Sequence, residues 1–248
     1  MTPEEFFYQV FESLPRQGPG CTGATRKAYS YLPPLPRDAK ILDIGCGSGT
    51  QTRDLAGLTS GTITAVDNHQ PFIDAITFWA QRNGMTGKIR AECGSMDTLP
   101  FEPGYFDLIW SEGAIFIIGF EEGLRAWKPL VKKGGFIVVS DAVCFQVDPP
   151  AELMQYWETQ GYPLMSEQER VEQIHRQGLC LIEMYRLPEA GWWENYYVPM
   201  RARVAELRKT YGNDPTLGAF LNSCDIEVDM YWKYKRYHGY TFFVMQNP

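Results

Sequence analysis

The chain has 248 residues, and its 23 Lys and Arg against 30 Asp and Glu give a formal net charge of −7. That balance argues against a nucleic-acid binder, which needs clustered basic side chains for its phosphate contacts. Hydrophobic residues at 44% and charged residues at 21% describe a folded globule with a real core, and no apolar run approaches the roughly 18 residues of a membrane span.

Thr2-Pro3-Glu4-Glu5 is a capping box with Pro at the first helical position, and it predicts a helix to about Leu14. This acidic start lacks the basic stretch of a secretory signal, so a cytoplasmic protein is expected. Arg16-Gln17-Gly18-Pro19-Gly20 breaks the chain, and a second helix over 23–31 is closed by Pro33-Pro34-Leu35-Pro36. The rhythm then becomes regular. A strand over 40–44 leads through a glycine-rich turn into a helix over 50–58. Strand 62–67, helix 71–82 and strand 89–93 follow, then strand 106–110, a helix over 121–130 and strand 135–141. Short apolar runs alternating with amphipathic segments predict a parallel sheet covered on both faces.

Beyond Asp141 the pattern changes. Ser166-Glu167-Gln168-Glu169 is a second capping box, opening a helix to about Arg176. A strand over 179–185, aromatic-rich helices over 192–237 with a break at Gly212-Asn213-Asp214-Pro215, and a last strand over 240–245 complete the chain. No repeat or low-complexity linker interrupts it. The expectation is one domain: a helical cap (1–36), a ligand-binding core (37–141), and a portion (142–248) that completes the sheet and adds helices. The six cysteines contain no CxxC pair, so they read as reduced core thiols, and no metal site is implied.

Asp43-Ile44-Gly45-Cys46-Gly47-Ser48-Gly49-Thr50 lies at a strand-to-helix junction. Glycines there let the backbone approach a ligand, and the new helix presents unpaired N–H groups. Asp67 ends the second strand, where a carboxylate accepts hydrogen bonds from ribose hydroxyls. The dinucleotide fingerprint GxGxxG would need its third glycine where Thr50 stands. The GxGxG form, with Asp43 two residues ahead, resembles the first motif of class I S-adenosylmethionine (SAM)-dependent methyltransferases.

Three later segments resemble the same family: Gly94-Ser95-Met96-Asp97-Thr98-Leu99-Pro100-Phe101 after the third strand, Phe106-Asp107-Leu108-Ile109-Trp110-Ser111 as the fourth, and Trp127-Lys128-Pro129-Leu130-Val131-Lys132-Lys133-Gly134-Gly135 before the fifth. The resemblance covers roughly residues 39–141. It implies a Rossmann-like α/β fold whose seven-stranded, mostly parallel sheet carries helices on both faces, with an antiparallel last strand at or near the edge. An N-terminal helical lid and a helical insertion before that strand would roof the acceptor site. It implies SAM as cofactor, S-adenosylhomocysteine as product and a small-molecule methyl acceptor, in a monomer or homodimer. Asp43, Gly45 and Gly47 would then belong to the first cofactor motif, the two glycines meeting the methionine and ribose. Asp67 would take the ribose hydroxyls, and Asn68 would lie beside the adenine. The Met96 backbone would meet an adenine ring nitrogen, and Ser111 would face the methionine moiety. Ser95 stands where many relatives carry an acid for the adenine amino group, with Asp97 two residues on.

Methyl transfer from a sulfonium needs alignment and water exclusion more than a catalytic triad. Glu112, directly after the fourth strand, is expected to border the reaction centre as a base, as an anchor for a cationic acceptor, or as a salt-bridged glutamate. Ser111-Glu112-Gly113-Ala114 lacks the (Asn/Asp)-Pro-Pro-(Tyr/Phe) tetrad of some nucleic-acid methyltransferases. Arg16 and Gln17 would close over the SAM carboxylate or the acceptor. His69 would edge the adenine pocket, and His238 is the one histidine with a catalytic reading. Tyr231, Tyr234 and His238 fall at one-face helical spacing, as an aromatic wall for a cationic acceptor or as ordinary packing. A dinucleotide-dependent oxidoreductase and a non-catalytic SAM-binding module are the competing readings.

Overall fold

The computed structural model describes all 248 residues. Helix α1 (Pro3–Phe11) starts at the Thr2–Glu5 capping box, with both reciprocal hydrogen bonds closed, and α2 (Thr22–Tyr29) follows. The alternating core is β1 (Lys40–Ile44), α3 (Thr50–Leu58), β2 (Thr62–Asp67), α4 (Gln70–Arg82), β3 (Ile89–Cys93), β4 (Phe106–Glu112), α5 (Phe120–Trp127) and β5 (Val131–Cys144). Then come α6 (Ala151–Thr159), α7 (Glu167–Arg176), β6 (Cys180–Arg186), α8 (Glu189–Trp192), α9 (Val198–Tyr211), α10 (Pro215–Tyr234) and β7 (His238–Gln246). A π-helical turn over Trp193–Tyr197 joins α8 to α9. Asp214, capping the Thr216 and Leu217 N–H groups, and Pro215 at the first position set the break before α10. Helix α6 is the element the sequence reading lacked. No helix is long and apolar enough to cross a membrane.

The seven strands are ordered β3-β2-β1-β4-β5-β7-β6. The first five are parallel, and β7 runs antiparallel to both β5 and β6. The antiparallel last strand thus stands second from the edge, with β6 outside it. Strand alternation splits the core into two clusters, as a sheet covered on both faces requires. Ile41, Leu108, Trp110, Val138 and Phe242 face the side holding α1, α3, α4 and the α8–α10 insertion. Leu42, Ile109, Ile137, Val139 and Phe243 face α5 and α7. The strand order reverses between β1 and β4, so a crevice opens at the carboxyl ends of these strands.

Candidate cofactor and acceptor site

A cavity of about 400 Å³ fills that crevice, within the usual range of small-molecule sites. Its floor is the β1–α3 turn. Gly45, Gly47 and Gly49 all take positive φ (67°, 53° and 84°), a conformation in which a side chain is strained. The neighbours leave no room either. A Cβ on Gly45 would collide with the Ala114 methyl, and one on Gly47 with the Gln17 amide. Beneath the turn, buried Asp43 accepts from the Thr52 hydroxyl (2.6 Å) and faces the Gln51 amide.

Asp67 sits in the wall where β2 ends. One carboxylate oxygen accepts the Gly47 N–H (2.8 Å) and the other the His69 N–H (3.0 Å). Burial pushes its pKa up, and these N–H groups oppose that shift. Each oxygen keeps a second lone pair for a ligand hydroxyl. Asn68, Ser95, Met96 and Asp97 continue the wall. The Met96 carbonyl is taken by the Trp127 indole N–H (2.8 Å), so its amide N–H is the backbone group left for a ligand. Ser95 donates to Asp97, coupling the two candidates for an exocyclic amino group.

At the other end, residues 15–17 are stitched to the glycine turn. Thr50 donates to the Pro15 carbonyl (2.7 Å), and the Ser48 N–H donates to the Gln17 side chain (2.8 Å). Gln17 in turn donates to the carbonyl of Phe11, which ends α1, and to that of Leu14. Arg16 is buried across Gly20, where a Cβ would strike its guanidinium. Its Nη2 pairs with Glu112 at 2.6 Å, while Nη1 has no partner. Glu112 also accepts from Thr25 (2.7 Å) and the Trp110 indole (2.9 Å). Both of its oxygens are engaged, so the structure makes Glu112 a clamp for the N-terminal segment. Oε1 takes two donors and Oε2 takes Arg16, so of the three sequence readings the salt-bridged one is what the geometry carries.

Three expected site residues lie outside the cavity wall. Asp43 holds the turn from below, because it shares the strand parity of Ile41 and points at α3. Ser111 is fully buried on the face opposite Trp110 and Glu112, since neighbouring strand residues point to opposite faces. His238 opens β7 rather than extending α10, and pairs in register with Cys144. Its ring packs edge-on to Trp157, Trp192 and Tyr231, and burial pushes its pKa down to about 4. It is a neutral imidazole away from the cofactor cavity. His69 stacks on Tyr8 (3.5 Å between centroids) and bonds Glu12, which places it behind the wall. The residues that sequence reasoning missed are the apolar ones: Phe7, Tyr8, Phe72, Ala114 and the Phe116–Ile118 segment. No spacing marks them, because they come from separate loops and helices.

Residues 41–135 match a methyltransferase domain family. Over 77 residues the chain is 32% identical to sterol 24-C-methyltransferase erg-4 of Neurospora crassa, covering 31% of this chain and 20% of that protein. Over 158 residues it is 25% identical to "Uncharacterized methyltransferase YodH" of Bacillus subtilis, covering 64% and 66% of the two chains. The chain thus spans between a fifth and about two-thirds of the length of these relatives. The fold superposes on a SAM-dependent methyltransferase of Geobacter sulfurreducens, solved with S-adenosylhomocysteine, at a TM-score of 0.81 and 18% identity over 98% of this chain and 97% of that one. The domain match over residues 41–135 and the strand order converge with the glycine turn and Asp67: the chain carries a methyltransferase domain over those residues and has the fold of SAM-dependent methyltransferases.

Proposed function

We propose that this chain transfers a methyl group from SAM to a small-molecule acceptor by in-line displacement, releasing S-adenosylhomocysteine. The observation that carries the reading is the cavity itself, whose wall includes both the Asp67 carboxylate and the Arg16 guanidinium. When bound, SAM supplies a methyl group on a sulfonium whose leaving group is a neutral thioether. Asp67 would receive the ribose hydroxyls. The Met96 N–H and Asn68 would meet the adenine, with Ser95 or Asp97 at its amino group. The Gly45 and Gly47 backbone would pass beside the methionine, and Arg16 Nη1 would meet its carboxylate. Arg16, Glu112 and the α1 side chains would exclude water, which is most of what an in-line transfer asks of the protein. Six free cysteines support a reducing compartment such as the cytoplasm, and the acidic charge supports an acceptor other than nucleic acid.

Calorimetry decides the cofactor. SAM and S-adenosylhomocysteine should bind in the micromolar range, and NAD(H) should not. Asp67→Ala should weaken SAM binding by about 1.5–3 kcal/mol, roughly ten- to hundred-fold, as loss of a charged hydrogen-bond acceptor does. An unchanged affinity removes the ribose assignment. Labelled SAM incubated with a metabolite extract, read by mass spectrometry, identifies the acceptor; absence of any labelled product would favour a binding module.

A further inference from the structure

The cavity wall divides by chemistry. Its polar side chains gather where the cofactor would sit: Asp67, Asn68, Ser95 and Asp97 in one stretch of wall, Arg16 and Gln17 beside the glycine turn. Phe72 belongs with the first group, because it packs edge-on to His69 (4.7 Å between centroids), whose N–H holds Asp67. Another stretch is apolar. Ala114 touches the glycine turn, since its methyl occupies the space a Cβ on Gly45 would need. A single 3-10 turn, Ile115–Ile117, follows it between Gly113 and Gly119, both at positive φ (63° and 89°). Ile115 is fully buried with Phe120 and Leu124 of α5. Successive residues of so tight a turn point about 120° apart, so Phe116 and Ile117 are left to the cavity, and Ile117 is 64% exposed. Phe7 of α1 lines the same cavity and is 42% exposed, although Phe6, Val10 and Phe11 of that helix are buried. Its ring is braced 4.6 Å from that of Phe11, and the Phe116 ring stands edge-on to Tyr162 at 5.6 Å.

We infer that the methyl acceptor has an apolar body, an alkyl chain or aromatic ring of several carbons, that lies against Phe7, Phe116 and Ile117 with its attacking atom turned inward past Ala114. This rests on the methyltransferase reading above and gives it a substrate class. An exposed apolar side chain standing alone is ordinary on a protein surface; several on the wall of one cavity, next to polar groups, mark a ligand face. Core packing does not account for these three. The core has already taken Phe6, Val10 and Phe11 from α1 and Ile115 from the turn, and what it leaves over from both segments meets at the cavity. Phe7, Phe116 and Ile117 offer no side-chain hydrogen bond, so this face recognises its ligand by the apolar area it removes from water. The polar groups that fix orientation come from the rest of the wall, as in most small-molecule sites. Gly113 and Gly119 at its ends let the apolar segment shift to fit the ligand.

The test fills the cofactor site of the full chain with S-adenosylhomocysteine and titrates it by calorimetry with the primary alcohols from 1-butanol to 1-decanol. Each is compared with the α,ω-diol of the same length. Affinity should rise roughly two- to four-fold per added methylene until the chain outgrows the apolar face. Each diol should bind about ten-fold more weakly than the alcohol of equal length, because its far hydroxyl loses water against side chains that offer it no partner. Phe7→Gln and Ile117→Gln should each flatten the rise, and the double variant should abolish it. Both positions are exposed enough for the fold to accept glutamine, and the series in the unaltered chain needs no variant at all. Ile226→Gln, exposed on α10 and outside the cavity wall, should leave the rise intact. If the three side chains only cover the adenine, the filled site shows no dependence on chain length. That result overturns the inference, as do diols that bind as well as alcohols, a rise that survives the double variant, and a rise that Ile226→Gln flattens equally. Failure of S-adenosylhomocysteine to bind in the first place would instead strike the cofactor reading, so the two are told apart.

Discussion

Glu112→Ala lowers the unfolding free energy by about 3–5 kcal/mol, the range found when a buried ion pair loses one partner. The carboxylate receives Arg16, Thr25 and Trp110 at 2.6–2.9 Å, so alanine strands the Arg16 and Trp110 donors and leaves Thr25 only the longer bond to the Cys21 carbonyl. The Arg16 guanidinium is 6% exposed and already has one nitrogen without a partner; with no counter-charge it must break out to solvent or stay buried at high cost. For a chain of this size each kcal/mol moves the thermal midpoint by roughly 2–4 °C. Circular-dichroism melting should therefore fall by on the order of 6–20 °C, and a change under about 1 kcal/mol would show the clamp to be dispensable. The double variant Arg16→Met with Glu112→Leu separates stability from binding. Apolar replacements of a buried pair are often neutral, so most of the stability returns. SAM affinity does not, because the guanidinium that would meet the methionine carboxylate is gone.

What could be read in the sequence was what is local. The β1 turn, Asp67 and the two capping boxes each depend on residues within a few positions of one another or on adjacent strand ends, and the chain order of βα units dictates the parallel sheet. The Arg16–Glu112 pair joins positions 96 apart, and nothing in either neighbourhood marks the other. Parity could have corrected two assignments. Trp110 and Glu112 share one face of β4, which turns Ser111 to the other, and Asp43 shares the face of Ile41. His238 was misplaced by extending helical spacing past Tyr234. Gly239 and the β-prone run Tyr240-Thr241-Phe242-Phe243-Val244 are the signals that a strand begins there. For α6, Pro149-Pro150 before Ala151-Glu152-Leu153 was a usable start signal.

Between pH 4 and pH 7 the fold should lose stability through Asp43 as the pH rises. Its carboxyl is fully buried, and desolvation lifts its pKa from 3.8 to about 7. The Thr52 and Gln51 donors oppose the shift, and the Glu112 charge adds to it. In that window the folded state keeps a proton that the unfolded chain has released, so the slope of stability against pH is negative. At about 1.4 kcal/mol per pH unit the loss through this one group is about 3–5 kcal/mol across the window. The carboxylates with lowered pKa, such as Glu121, Glu167 and Glu169, act in the opposite sense and mainly below pH 4.5. Asp43→Asn isolates the effect, because the amide cannot ionise and can still pair with Thr52 and Gln51. Urea midpoints at half-unit steps from pH 5 to 8 should show the variant gaining on the parent chain up to about pH 7. Its gain should continue to grow above pH 7 only if the folded pKa lies higher. A difference between the two proteins that does not vary with pH would mean that Asp43 is charged in the fold, and that the β1 turn rests on an ionised carboxylate.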